Sequence, residues 1–236
     1  MKKALIICVL SALIASPALA KETATKQPPA FDLKALTAKA EKGDPKAQAD
    51  LGEHYYSGEG VDKDYGEALK WIRKSAEKNN ANGLNDLGMA YAEGNGVDQD
   101  TKKAFELITK AANLKLPEAE HNLATMYAQG IGTEQDFATA AKWYRKAADH
   151  GNIAAQNELG YLYEKGTGVT QDWKEAAKWY RKAAEKGYDV AQSNLGYLYH
   201  LGLGVKKDDK AAKTWFQKSA DQGNEKAKYN LEHMQD

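Results

Sequence analysis

Two residue types are scarce in this sequence, and an excess of either charge is missing. A single cysteine, Cys8, stands among 236 residues, so no internal disulfide framework can form. Five prolines are too few for a proline-rich linker protein. Lys and Arg number 33 against 33 Asp and Glu, which argues against a dedicated nucleic-acid binder, because such a domain normally has a basic face and a pI above about 9. Long apolar runs are absent after the first twenty residues. What is present, 42% hydrophobic and 28% charged residues rich in Leu, Ala and Tyr, is the composition of a folded, helix-favouring chain rather than a disordered one.

The one apolar run has the layout of an export signal. Lys2 and Lys3 form a positive start, Ala4 to Ile14 is apolar apart from Ser11, and Ala18-Leu19-Ala20 offers the small residues of a cleavage site. The run falls short of the roughly 20 apolar residues that span a bilayer. Residues 1–20 are therefore expected to be removed, leaving Lys21 as the new N-terminus and a periplasmic or secreted product with no stable membrane insertion. Ile7 precedes Cys8 and only seven residues lie upstream of it, which disfavours lipidation. Residues 21–30, with Thr, Gln and Pro, read as a flexible leader.

Beyond the leader one period governs the chain. Leu51, Leu87, Leu123, Leu159, Leu195 and Leu231 recur every 36 residues. The same interval carries Tyr55 to Tyr199, the Gly-x-Gly pairs from Gly58 to Gly202, the aspartates Asp64 to Asp208, the alanines Ala68 to Ala212, and the series Trp71, Leu107, Trp143, Trp179, Trp215. Self-similarity at such a period is the mark of a repeat architecture.

Within a period the spacing is helical. Ala47, Leu51 and Tyr55 stand four apart and form one apolar stripe, with Gly52 beside it where another backbone can approach; this is helix A. Ala68, Ile72 and Ala76, with Trp71 alongside, form the stripe of helix B. Gly58-Glu59-Gly60 supplies a C-terminal cap between them, and Asp64 caps helix B. Asp64 with Glu67, and Asp172 with Glu175, have the spacing of a capping box. Helix A starts are marked by Asp44-Pro45, Asn80, Asn152, Asn224 and Pro117. One such hairpin cannot bury its apolar face alone, so neighbours must stack.

The pattern resembles the Sel1-like repeat family, relatives of the tetratricopeptide repeat. The resemblance lies in Ala47-Gln48-x-x-Leu51-Gly52-x-x-Tyr55, Gly58-x-Gly60-Val61-x-x-Asp64, Ala68-x-x-Trp71 and Lys74-Ser75-Ala76, repeated most faithfully from Ala155-Gln156 to Ala183-Ala184. It implies an all-α solenoid of antiparallel helical hairpins in a right-handed superhelix. The expected units are 44–79, 80–115, 116–151, 152–187 and 188–223, preceded by a lone helix B in 31–43 and closed by a capping helix A in 224–236. Leu107, Lys115-Leu116, Ala124 and Thr133 depart from the pattern locally.

Candidates for chemistry are better explained by structure. The Gly-x-Gly pairs lack the third glycine, the Gly-Lys-Ser/Thr and the preceding strand of a phosphate loop. Asp62-x-Asp64-x-Gly66 lacks the downstream ligands of a calcium loop. His54, His121, His150, His200 and His233 show no zinc-ligand pairing. Some cysteine-rich relatives are described as β-lactamase-like, which draws attention to Ser75-x-x-Lys78, yet Ser-Asp-Asn and Lys-Thr-Gly companions are missing and Ala147 and Ala183 stand at the equivalent positions. No catalytic residue, metal or cofactor is expected.

What remains is the surface made by stacking. In helical-hairpin solenoids helix A lines the concave face, so positions two before, two after and five after each leucine are expected there. The candidates for partner binding are Glu53, Tyr56, Asn85, Met89, His121, Asn157, Tyr161, Glu164, Tyr197 and His200. The resemblance implies a non-enzymatic scaffold, adaptor or regulator binding a protein partner of the bacterial envelope. The alternatives are an immunity-type protein that neutralises a periplasm-acting toxin and a cell-wall-directed hydrolase.

Overall fold

The computed structural model describes residues 32–234; the expected signal segment and leader, with Phe31, lie outside them. Twelve helices and no strand occur among the described residues. A short α1 (Leu33–Glu41) precedes five hairpins and a short closing helix. The hairpins are α2 (Pro45–Ser57) with α3 (Tyr65–Glu77), α4 (Ala81–Glu93) with α5 (Thr101–Asn113), α6 (Pro117–Gln129) with α7 (Phe137–Asp149), α8 (Ile153–Lys165) with α9 (Trp173–Glu185), and α10 (Asp189–Leu201) with α11 (Asp209–Asp221); α12 (Glu225–His233) closes the array. Every hairpin helix has 13 residues, so the constant sequence interval becomes a constant building block.

Each hairpin is closed by the same set of bonds. The first glycine of every Gly-x-Gly takes a left-handed conformation, φ 79° at Gly58 and 71° at Gly202, which ends helix A. The aspartate ahead of helix B accepts from backbone N–H groups of the first turn, as Asp64 does from Gly66 and Glu67. Its own N–H donates to the carbonyl of the repeated tyrosine, from Asp64 to Tyr55 at 2.9 Å and likewise from Asp100, Asp136, Asp172 and Asp208 to Tyr91, Tyr127, Tyr163 and Tyr199. That bond corrects the capping-box expectation. With the aspartate N–H already taken, Glu67 and Glu175 turn outward to Lys70 and Lys178.

Stacking then buries the apolar stripes in a run of adjoining clusters along the array. Leu51, Leu123, Leu159 and Leu195 are at most 1% exposed, and burial of each stabilises the fold by about 1.5–3 kcal/mol. Gly52 lets α3 approach so closely that a Cβ there would lie 2.5 Å from Ile72 Cγ1. In three units a buried glutamine of helix A ties the unit to the preceding helix B: Gln48, Gln156 and Gln192 donate to the carbonyls of Ala40, Ala148 and Ala184. Glu120 stands in that place in the third unit, without the amide donor, and pairs with His150 Nδ1 at 2.7 Å. Lys115 adopts φ 63° and Asn79 φ 55° at the position that is glycine at Gly43, Gly151, Gly187 and Gly223, without disturbing the array.

Among the A helices, α2 packs on α4 and α4 on α6, whereas no successive pair of B helices among the described residues lies as close. The A helices thus line the tighter, concave side. On the outer side Lys74, Lys146, Lys182 and Lys218 lie over the rings of Trp71, Trp143, Trp179 and Trp215 at 3.6–4.4 Å, covering indole surface with their stems.

Candidate functional site: the concave groove

Helical geometry decides which A-helix residues face the groove. At about 100° per residue, the positions five before, one before, two after and six after each leucine fall on one stripe opposite the core. That stripe reads Lys46, Asp50, Glu53, Ser57 on α2 and Asn82, Asp86, Met89, Glu93 on α4. It continues as Glu118, Asn122, Thr125, Gln129 on α6, then Ala154, Glu158, Tyr161, Lys165 on α8, and Val190, Asn194, Tyr197, Leu201 on α10.

Of the ten expected contacts, Glu53, Met89, Tyr161 and Tyr197 lie on this stripe; the two tyrosines are 46% and 40% exposed. The positions two before the leucine do not. Asn85 and Asn157 are 9% and 5% exposed and accept hydrogen bonds from Asn122 and Asn194 of the next A helix, at 2.9 and 3.2 Å. His121 packs beside the Tyr144 ring, 5.5 Å between centroids, and burial holds its pKa below the usual imidazole value. The positions five after are engaged too. Tyr56 donates to Glu93 Oε2 at 2.6 Å, and burial with that carboxylate alongside pushes its phenol up. Glu164 accepts from Tyr180 and pairs with Lys165, and His200 Nδ1 meets Asp209 Oδ1 at 2.7 Å. Asn85, Asn157 and His121 are thus turned into the wall of the groove, and Tyr56, Glu164 and His200 keep polar partners on its flank. The neighbouring A helix covers one flank of the stripe, and the hairpin's own second half covers the other.

The positions missed by sequence reasoning are those one before the leucine and the outer ends of the stripe. Asp50, Asp86, Asn122, Glu158 and Asn194 are polar in every unit, a regularity that marks them as facing water or each other. Asp86 is raised to about 7, chiefly by burial against the groove wall; a hydrogen bond from the Asn85 amide opposes this, and the charges of Glu53 and Asp50 add smaller increments to it. Burial also raises Glu158.

The features weighed for chemistry are structural in place. Ser75 is buried and donates to the Pro45 carbonyl at 2.6 Å, as Ser219 does to Asp189. Asp64 is occupied with its cap. No described helix is long and apolar enough to cross a membrane.

Comparison with known proteins accords with this architecture. The Sel1 repeat profile matches residues 45–80, 81–116, 117–152, 153–188 and 189–224, and the chain belongs to the Sel1 repeat family. A solved Sel1 repeat protein from Oxalobacter formigenes is 33% identical, with 84% of this chain and 80% of that one covered and a TM-score of 0.76. A protective antigen of uropathogenic Escherichia coli with the same kind of fold is 32% identical over 85% of this chain, TM-score 0.70; the match spans about half of that protein, 51%. An immunity protein of Pseudomonas aeruginosa shares the fold at 22% identity and TM-score 0.60, over 89% of this chain and 80% of that one. No curated protein matches this chain.

Proposed function

We propose that this protein is a non-enzymatic adaptor or regulator of the bacterial envelope, exported by removal of residues 1–20, that holds a partner protein in the concave groove of its A helices. Sel1 repeat proteins generally mediate protein–protein interactions. The observation that carries the reading for this chain is the contrast between two sets of positions on the same helices. Leucine, tyrosine and the helix-packing glycine recur because stacking requires them. The position two after the leucine runs Glu53, Met89, Thr125, Tyr161, Tyr197; although Met89 touches the core and Thr125 meets Tyr144, stacking does not demand one residue type there. Tyrosine there offers rigid, partly apolar contact area with a polar tip, a residue type enriched at binding hot spots.

The test is affinity capture from periplasmic extracts with the native chain as bait, its intact mass measured alongside. The bait should begin at Lys21. Tyr161→Ala with Tyr197→Ala should release the captured protein, a loss of about 2 kcal/mol or more, at nearly constant melting temperature. Lys74→Ala with Lys182→Ala on the outer side should retain it. Loss of capture only with the outer-side pair, or a bait retaining residues 1–20, would overturn the respective half of the proposal.

A further inference from the structure

The groove is not uniform along its length. Four of the seven large hydrophobic side chains exposed among the described residues lie at one end of it: Tyr161 on α8 at 46%, and Val190, Tyr197 and Leu201 on α10 at 38%, 40% and 46%. The three on α10 stand at intervals of seven and four, one above another on the same face, with only Asn194 between them. Exposed apolar side chains gathered on one concave face mark a surface that something covers. The α2 and α4 end has the opposite character. Its stripe holds Asp50, Glu53, Asp86 and Glu93 against one lysine, Lys46, which pairs with Asp50 at 2.7 Å. The α6 stretch between the two ends holds Asn122, Thr125 and Gln129 beside a single carboxylate, Glu118.

Building on the groove reading above, we propose that the occupant is an extended segment of a partner protein, laid across the A helices with apolar side chains over α8 and α10 and lysines or arginines over α2 and α4. Length fits the assignment. Four helix-to-helix steps of about 10 Å make about 40 Å, which an extended chain covers with about 12 residues. Charge complementarity fixes which way the segment lies, while the apolar end supplies most of the affinity. The raised pKa of Asp86 agrees with this placement, since a carboxylate that burial and, to a smaller degree, the charges of Glu53 and Asp50 disfavour as an anion gains from a cation set beside it.

Fluorescence anisotropy with three labelled synthetic peptides of about 14 residues tests the proposal. One has a Leu/Phe block followed by a Lys block, the second has the same residues alternating, and the third has Glu in place of Lys. The block peptide should bind at least about tenfold more tightly than the other two. Leu201→Asp, a change at an exposed site, should remove that advantage at unchanged melting temperature. Glu53→Gln with Asp86→Asn should flatten the salt dependence. A photo-crosslinker on the Lys block should mark α2 or α4, and one on the apolar block α10. Equal binding of the block and alternating peptides, or reversed crosslinks, would overturn the proposal. So would a concentration-dependent dimer of the free chain, abolished by Leu201→Asp in sedimentation, because the stripe would then belong to a second copy. If the block peptide fails while Tyr161→Ala with Tyr197→Ala still releases the captured envelope protein, the groove reading stands and the polarity falls; if neither effect appears, both fall.

Discussion

Where two A helices meet, the residue two before one leucine lies against the residue one before the next leucine. Two of these junctions are asparagine pairs and are bonded, Asn122 to Asn85 and Asn194 to Asn157. By the 36-residue interval Ser193 of α10 and Asn230 of α12 take these places at the last junction, and both Ser193 Oγ and Asn230 Nδ2 are buried without a hydrogen-bond partner. An unpaired buried polar group costs about 1–3 kcal/mol, so this junction is the weak seam of the array. Ser193→Asn should rebuild the bond found at the two other junctions and raise stability by about 1 kcal/mol in urea melts. Asn230→Ala should then cost more in the Ser193→Asn background than in the native chain; a gain that persists without Asn230 would show that the added side chain acts by packing alone.

Single elements show what the sequence discloses and what it withholds. The helical hairpins, their caps and their core leucines were legible because each depends on a residue's own backbone or its near neighbours, and the 36-residue interval repeats the evidence. The groove was legible only in part. Whether Asn85 or Asp86 meets the partner depends on which flank of α4 the next A helix covers, a tertiary fact absent from α4's own pattern. The second glycine of the Gly-x-Gly pairs in the second to fifth units also gains its meaning from the neighbouring unit. A Cβ at Gly168 would fall on the carbonyl of Phe137, and one at Gly204 on that of Trp173, each at the start of the preceding helix B. The turn of one unit therefore sits on the helix N-terminus of the unit before, and only glycine lets it. Gly223, at φ 95°, has no such neighbour within 4 Å. Gly223→Ala should cost the left-handed penalty alone, about 1–2 kcal/mol, while Gly168→Ala adds a backbone clash and should cost about 3 kcal/mol or more. Equal losses in denaturant melts would mean that the turns do not carry the stacking.

Across the whole molecule, charge is sorted by side. The five A helices of the hairpins hold nine carboxylates and two lysines, and their five B helices hold sixteen Lys or Arg and eight carboxylates. A nearly neutral chain thus folds with an acidic inner surface and a basic outer one, and concentrating carboxylates in a groove raises the cost of ionising them. Asp86 shows this on top of a larger effect of burial, with the charges of Glu53 and Asp50 adding to it. With its pKa at about 7 in the folded chain and about 3.9 when unfolded, the folded state binds its proton more tightly. Over that window the unfolded state is ionised while the folded state still holds its proton, so stability falls as pH rises from about 4 to about 7 and levels off above. Three units at about 1.36 kcal/mol each set a ceiling near 4 kcal/mol, and water in the open groove screens this to about 1–2 kcal/mol. Asp86→Asn should therefore match the native chain at pH 4 and exceed it by about 1–2 kcal/mol at pH 8. The difference between the two proteins isolates Asp86 from Asp136, Glu175 and Asp209, whose lowered values act in the opposite direction. A difference that stays flat from pH 4 to 8 in urea melts would refute the raised carboxyl, and with it the view that the acidic end of the groove holds charge that folding alone leaves uncompensated.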